Sequence, residues 1–361
     1  MTLEKTILAK SRLRLGIANV GAWVIAACAG LFWLRGAGAG VPDFGTFTLI
    51  FMVAIFVQAG FDFIGGAVLI SVPRPSYVSF ALRWVRGVGG QSFVLLCVAL
   101  LHWVSLAVTG GFCLAVLLSS IGLAVARTSL LRIIGGVQIN SGFHGCGDVM
   151  VAKASDPAFT GGVLDLTRGA KSLMPERWLW DLPEGALEVE SARREWQIKH
   201  GLAVKAFGFV LLWNLLGASI GPVVFDFGAR TPTAAIFGQA CWMTLWAFFS
   251  LLILPSVSRG VVFAADDAAV AAGRDPRGWI AIFPSLVAED GSDNAIAQTI
   301  FYPVPSTAMR LQQLGQSPPK VVFGNLSRSY LYYSWSTFTL LGRTVHCNVG
   351  RPELWVFPPA A

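Results

Sequence analysis

Few residues of this chain could do chemistry. It has four His and six Cys among 361 residues. His200 closes the pentapeptide Trp196-Gln197-Ile198-Lys199-His200, at the end of the segment LEVESARREWQIKH. Apolar Leu187, Val189, Ala192 and Trp196 with charges between them predict a helix there, and Glu190 and Arg194 are spaced for an i,i+4 ion pair. Taken alone, a histidine at a helix end more often caps or bonds a neighbour than ligates a metal. His144 and Cys146 form an HxC pair in FHGCGD, and His346 and Cys347 are adjacent in VHCN. Together they offer four ligands of the kind zinc accepts, in a spacing that fits no standard framework. Unconnected loop thiols and imidazoles are the plainer reading. Asp62 lies in FDFIGG, within an apolar run. A carboxyl there is either functional or bonded to a neighbouring helix or the headgroups. His102, in a Leu- and Trp-rich run, suits a helix-to-helix hydrogen bond.

The elements that must position these residues are mostly membrane spans. The chain is 55% hydrophobic and 13% charged, about half the charge of an ordinary soluble domain. Its 13 Trp and 25 Phe suit a bilayer interface. A span needs about 20 apolar residues. Leu15 to Leu34 and Thr46 to Ile70 each suffice, and a basic loop with Arg74, Arg83 and Arg86 follows. Ser92 to Val125 is too long for one span and is broken at Thr109-Gly110-Gly111, which predicts a helical hairpin. Leu202 to Phe225 and Ala235 to Leu254 complete six spans. Cys28, Cys97, Cys113 and Cys241 fall within apolar runs, where a thiol packs as a small hydrophobe, and no CxxC pair points to a disulfide framework. The N-terminal apolar run reads as a retained span, not a removed signal peptide.

The expected architecture is therefore a mostly α, polytopic membrane protein with an α+β soluble part formed from two stretches. Residues 1–132 carry four spans, 133–201 the first soluble stretch, 202–255 a two-helix insertion, and 256–361 the second stretch and tail. The net charge is +7, and basic residues flank the soluble stretches, which puts both termini and both stretches in the cytosol. No nucleic-acid signature accompanies that charge. Tyr330 to Leu341, YLYYSWSTFTLL, is too short to span and reads as a strand or a segment lying on the membrane surface.

WQIKH occupies the place where zinc peptidases carry HExxH, two histidines on one helix face with Glu as general base. Two spans follow it, then SRGVVFAAD from Ser258 to Asp266, then Pro303-Val304-Pro305-Ser306 ahead of Arg310-Leu311. In this order and spacing, from about Ile133 to Leu314, the chain resembles the HtpX-type membrane zinc metallopeptidases, the family that also holds the CAAX prenyl proteases. That family runs from spans through HExxH, two further spans and SRxxEYxAD to a THPS-like turn before an Arg-Leu pair. Asp156-Pro157-Ala158-Phe159-Thr160-Gly161-Gly162 is similar to the family's NAFxxG segment, a strand beside the active site.

The resemblance implies zinc ligands at Trp196, His200 and Val262, a general base at Gln197, and an orienting carboxylate at Asp266 that could bond His200. Indole and isopropyl groups cannot ligate zinc, a catalytic zinc needs three protein ligands, and Gln takes no proton from water. The implied protein is a catalytically inactive member of the class without zinc, its indole filling the former metal cavity. Its partners would be the bilayer and peptide or membrane-protein segments, not nucleic acid. Two alternatives stand beside it. One is a divergent active metallopeptidase with a rearranged ligand set. The other is a small transporter or channel component centred on Asp62. An ordinary Ala-rich helix ended by a glycine would equally explain VVFAADDAAVAAG.

Overall fold

The computed structural model describes residues 3–36, 44–70, 76–141, 149–164, 166, 169–183, 185–226, 231–287, 295–317 and 319–359. Six described helices are long and apolar enough to cross a membrane. They are α1 (Leu3–Gly36), α2 (Phe44–Phe63), α3 (Tyr77–Ser105), α4 (Gly111–Ile133), α7 (Leu202–Phe225) and α8 (Pro232–Ala271). Large side chains such as Ile25, Phe56, Val125 and Val223 face outward from them, as lipid-facing surfaces require. The protein is a multi-pass integral membrane protein of mostly α class.

Between α4 and α7 lie β1 (Gln138–Ser141), β2 (Val149–Lys153), β3 (Gly162–Leu164), β4 (Lys171–Pro175), α5 (Trp178–Asp181) and α6 (Ala186–Lys199). The strands form one sheet in the order β1-β2-β4-β3. β2 and β4 run parallel, while β1 pairs with β2 and β3 with β4 antiparallel. After α8 come α9 (Arg277–Val287), α10 (Ala295–Phe301), α11 (Thr307–Gln313), α12 (Leu326–Tyr333), a 3₁₀ turn (Ser334–Thr337), α13 (Leu341–Thr344) and α14 (Pro352–Val356). The two stretches outside the long apolar helices share one core with them, in which Ala152, Phe159 and Leu173 pack with Tyr330, Trp355 and Phe357. Buried Asp156 joins Arg351 through both arms of the guanidinium, tying the ends of that core together.

The hairpin break falls where expected, with α3 and α4 meeting across Gly110 in the left-handed conformation. Three other expectations are corrected. α3 starts at Tyr77, so Arg83 and Arg86 sit on the helix and not in a basic loop. They are held there by polar partners: Arg83 donates to Ser155 Oγ (3.2 Å) and Arg86 to the Gly135 carbonyl (2.9 Å). Arg74 lies outside the described residues. The helix that carries the sixth span does not stop near Leu254: α8 runs unbroken through Pro255 to Ala271, and a division at 255/256 falls inside it. Proline costs that helix one backbone bond, while packing against α1, α10 and α12 holds it along its length.

The segment YLYYSWSTFTLL is neither strand nor surface. It forms the end of α12 and the 3₁₀ turn, buried against α4, α7 and α8. Several of its polar atoms find partners internally, while the Tyr333 hydroxyl and the Trp335 indole N–H are buried without one. Tyr332 donates to the Leu123 carbonyl (2.7 Å), and Ser334, Ser336 and Thr337 each donate to the carbonyl three residues back. The Tyr and Trp side chains that suggest a strand or a membrane-surface segment are thus part of the interior.

Candidate functional site

α6 spans Ala186–Lys199 and passes directly into α7 through Gly201, whose φ of +60° is a left-handed turn that favours glycine. That turn leaves His200 at the exposed end of α6. Its Nδ1 donates to the Trp196 carbonyl oxygen (2.8 Å), and its ring lies 4.9 Å from the Trp196 indole. Trp196 is half-buried against an apolar cluster that includes Val189, Val261, Val262, Trp178 and Trp279. Trp196 and Val262, the positions of two of the implied zinc ligands, therefore meet in hydrocarbon surroundings.

α8 runs alongside α6 and carries the motif Ser258 to Asp266 on one continuous helix. Ser258, Val262 and Asp266, four residues apart, are all buried. The Ser258 hydroxyl accepts from the Ser327 amide (2.9 Å) and so fixes the start of α12. Arg259 reaches the carbonyls of Tyr302 and Gln298 beside the Pro303-Val304-Pro305 turn. Ser306 caps α11 by accepting from the Met309 amide (3.4 Å).

Asp266 does not bond His200. Its carboxylate is taken by Arg310, which donates from Nε (2.8 Å) and Nη2 (2.7 Å), and by Arg193, whose Nε lies 2.9 Å away. A guanidinium fork matches both carboxylate oxygens, while His200 sits on an exposed helix end bonded to the Trp196 carbonyl. Arg193 also binds Glu190 (2.5 Å), which accepts in turn from Arg194 (2.6 Å). Arg194 reaches on to the Thr160 carbonyl (2.8 Å) and that of Leu173, tying α6 to the Asp156–Gly162 segment and to β4. The strand in that segment begins only at its last residue, Gly162. Three arginines thus share two carboxylates, all buried. Burial alone would raise the Glu190 pKa, but Arg194 and Arg193 outweigh it and hold the carboxyl below its ordinary range.

Whether this place fits zinc is decided by its donors. His200 is the one imidazole, indole and isopropyl stand at the other two implied positions, and Asp266 is consumed by arginine. Among the described residues no three His, Cys, Asp or Glu side chains group as a metal site. The residues present do not fit a zinc ion.

The other candidates lie apart. Asp62 is fully buried, with Gln58 (3.0 Å), Trp84 (2.8 Å), the Gly350 amide (2.9 Å) and Arg343 donating to it. The approach of Gly350 is so close that a Cβ there would lie 2.0 Å from the Asp62 carbonyl oxygen. Just beyond, residues Ile64–Val68 form a π-helical turn whose loosened carbonyls accept from Arg12 at Gly65 (2.9 Å) and Leu69 (2.6 Å). The His346 ring lies tilted beside that of Tyr302 (centroids 5.6 Å apart), and the Cys347 thiol contacts Asn348 Oδ1 (3.4 Å). His144 and Cys146 lie outside the described residues. His102 bonds within its own helix, to the Val98 carbonyl (2.9 Å), and not across helices.

Arg193 escapes a reading that looks for metal ligands, yet its spacing marks it. Val189, Arg193, Trp196 and His200 fall at helical intervals of four, three and four, so a guanidinium stands on the apolar stripe and needs a buried partner.

No protein-family model matches the chain, and no curated protein sequence does. Among solved structures, the crystal structure of S. mikatae Ste24p is similar in fold. The TM-score is 0.58 at 10% identity, over 80% of this chain and 80% of that one. The chain shares that fold at a sequence distance where little but the fold remains.

Proposed function

We propose that the protein is a catalytically inactive relative of the membrane zinc metallopeptidases that holds peptide or membrane-protein segments without cutting them. The observation that carries this reading is the pairing at Asp266. On a fold shared with Ste24p, a membrane zinc metallopeptidase, the carboxylate matching the family's orienting Asp is locked between Arg193 and Arg310. The positions matching two ligands carry the apolar side chains of Trp196 and Val262. Gln197 at the base position cannot activate water. The peptide-holding part of the proposal rests on β3, which pairs on one side only, with β4, among the described residues. Such a strand can accept an extended segment by main-chain hydrogen bonding.

The test is a cleavage and binding assay on purified protein with unfolded, fluorescent casein, with and without zinc and chelator. Binding without cleavage is expected. Chelator-sensitive cleavage abolished by His200→Ala would favour the alternative of an active enzyme with a rearranged ligand set. A transporter centred on Asp62 draws no support from a carboxylate already held by four donors. Under the same proposal both soluble stretches face the cytosol, so a cysteine at Arg274 should label only from that side.

A further inference from the structure

A cavity of about 410 Å³ lies between α1, the middle of α8 and the elements from α9 to α12. It is lined mainly by aliphatic and aromatic side chains, among them Ile17, Val20, Leu251, Pro255, Phe301 and Leu331. That volume is in the range of pockets that enclose a small ligand. None of Trp196, Gln197, His200, Val262 or Asp266 lines it, although Arg310, which holds Asp266, does, so it adjoins the vestigial site without containing its ligand positions.

Two arginines line it, Arg310 and Arg328. Arg310 is committed, since both its arms hold Asp266. Arg328 is 9% exposed, and neither its Nε nor its Nη2 has a hydrogen-bond partner. Its nearest carboxylate network is spent, because Glu190 and Asp266 already serve three arginines. Burial pushes the Arg328 pKa down, the direction expected for a cation without a counter-ion. A buried guanidinium with free donors is costly unless an anion completes it. An anion that reaches it through this cavity must also fill apolar walls.

We propose that this cavity binds a single-chain anionic lipid, with its carboxylate or phosphate head on Arg328 and its aliphatic chain between α1 and α8. The guanidinium fork suits either head. The apolar walls exclude a head without a chain.

The experiment measures binding of palmitate, of palmitoyl lysophosphatidate, of hexadecanol and of inorganic phosphate to the purified full-length protein in detergent. At least one of the two anionic lipids should bind about tenfold or more tightly than hexadecanol, the worth of a charge-assisted hydrogen bond. Which of them does so identifies the head. Inorganic phosphate should not compete. Arg328→Gln should remove the preference while leaving hexadecanol binding in place, and Val20→Trp, which fills the cavity, should abolish both. Equal binding of acid and alcohol by the wild type would overturn the proposal, as would binding of neither or competition by phosphate alone. The wild-type comparison decides even where a variant fails to fold. A casein result against the inactive-peptidase reading leaves this comparison untouched.

Discussion

Two buried carboxylates anchor this molecule, and they are treated differently. Asp62, at the end of α2, has one guanidinium, one indole, one amide side chain and one backbone N–H, each from a different part of the chain. Its lone pairs are used and its charge is matched once. Asp266, on α8, faces two guanidiniums, and with Glu190 it serves a third, while Arg193 Nη2 finds no partner. The first is a closed knot that holds the C-terminal segment against the bilayer helices. The second carries surplus positive charge at the place where the family resemblance puts a metal centre. Each cluster leaves a guanidinium nitrogen unbonded, Arg343 Nε in the first and Arg193 Nη2 in the second, so what separates them is net charge: one arginine to one carboxylate against three to two.

The sharpest way to break this contrast is to remove each carboxylate. Asp266→Ala strands Arg310 in the interior and leaves Arg193 only Glu190, and should cost ~3–5 kcal/mol, read as a large drop in the unfolding midpoint of the detergent-solubilised protein. Asp62→Asn keeps shape and an acceptor, and should cost less, ~1.5–3 kcal/mol for hydrogen bonds to charged groups. If Asp62→Asn proves the more damaging, the contrast runs the other way.

Acid should act next. The folded-state pKa of Glu190 lies below its ordinary value. Its contribution is therefore fully present above the unfolded carboxylate pKa of about 4.3 and is lost as pH falls through the lower folded value. Thermal midpoints from pH 7 downward should stay level until that range and then fall. Glu190→Gln should flatten the Glu190 part of the fall. The smallest effects belong to the vestigial ligands. Trp196→Ala, at a half-buried position, should cost ~1–2 kcal/mol, below the value for a fully buried indole. His200→Ala should change stability by no more than ~0.5 kcal/mol, as at an exposed site.

Much of this was legible in the residues. Apolar runs placed the six spans, and the Thr109-Gly110-Gly111 break placed the hairpin. The order of short motifs placed Ser258, Val262, Asp266 and Arg310 on elements that do meet. The partner of Asp266 was not legible. Periodicity tells which face a residue occupies, but not which of two basic neighbours reaches it, and Arg193 lies about two turns before the His200 the resemblance suggests. The buried α12 was hidden for a related reason. Tyr and Trp suggest a strand or a membrane-surface segment until they are seen inside the fold. Arg328 gave no signal, since an arginine following Leu326-Ser327 reads as surface, and only the cavity beside it shows otherwise.

α8 is one helix of 40 residues, ~60 Å long at 1.5 Å per residue. Its first half packs among the spans and its last turns carry Asp266. A rod of that length acts as a lever with its fulcrum near Pro255. A few degrees of tilt within the bilayer, of the kind a thicker or thinner membrane imposes, displace its far end by ångströms, and the arginines on α6 and α11 must follow.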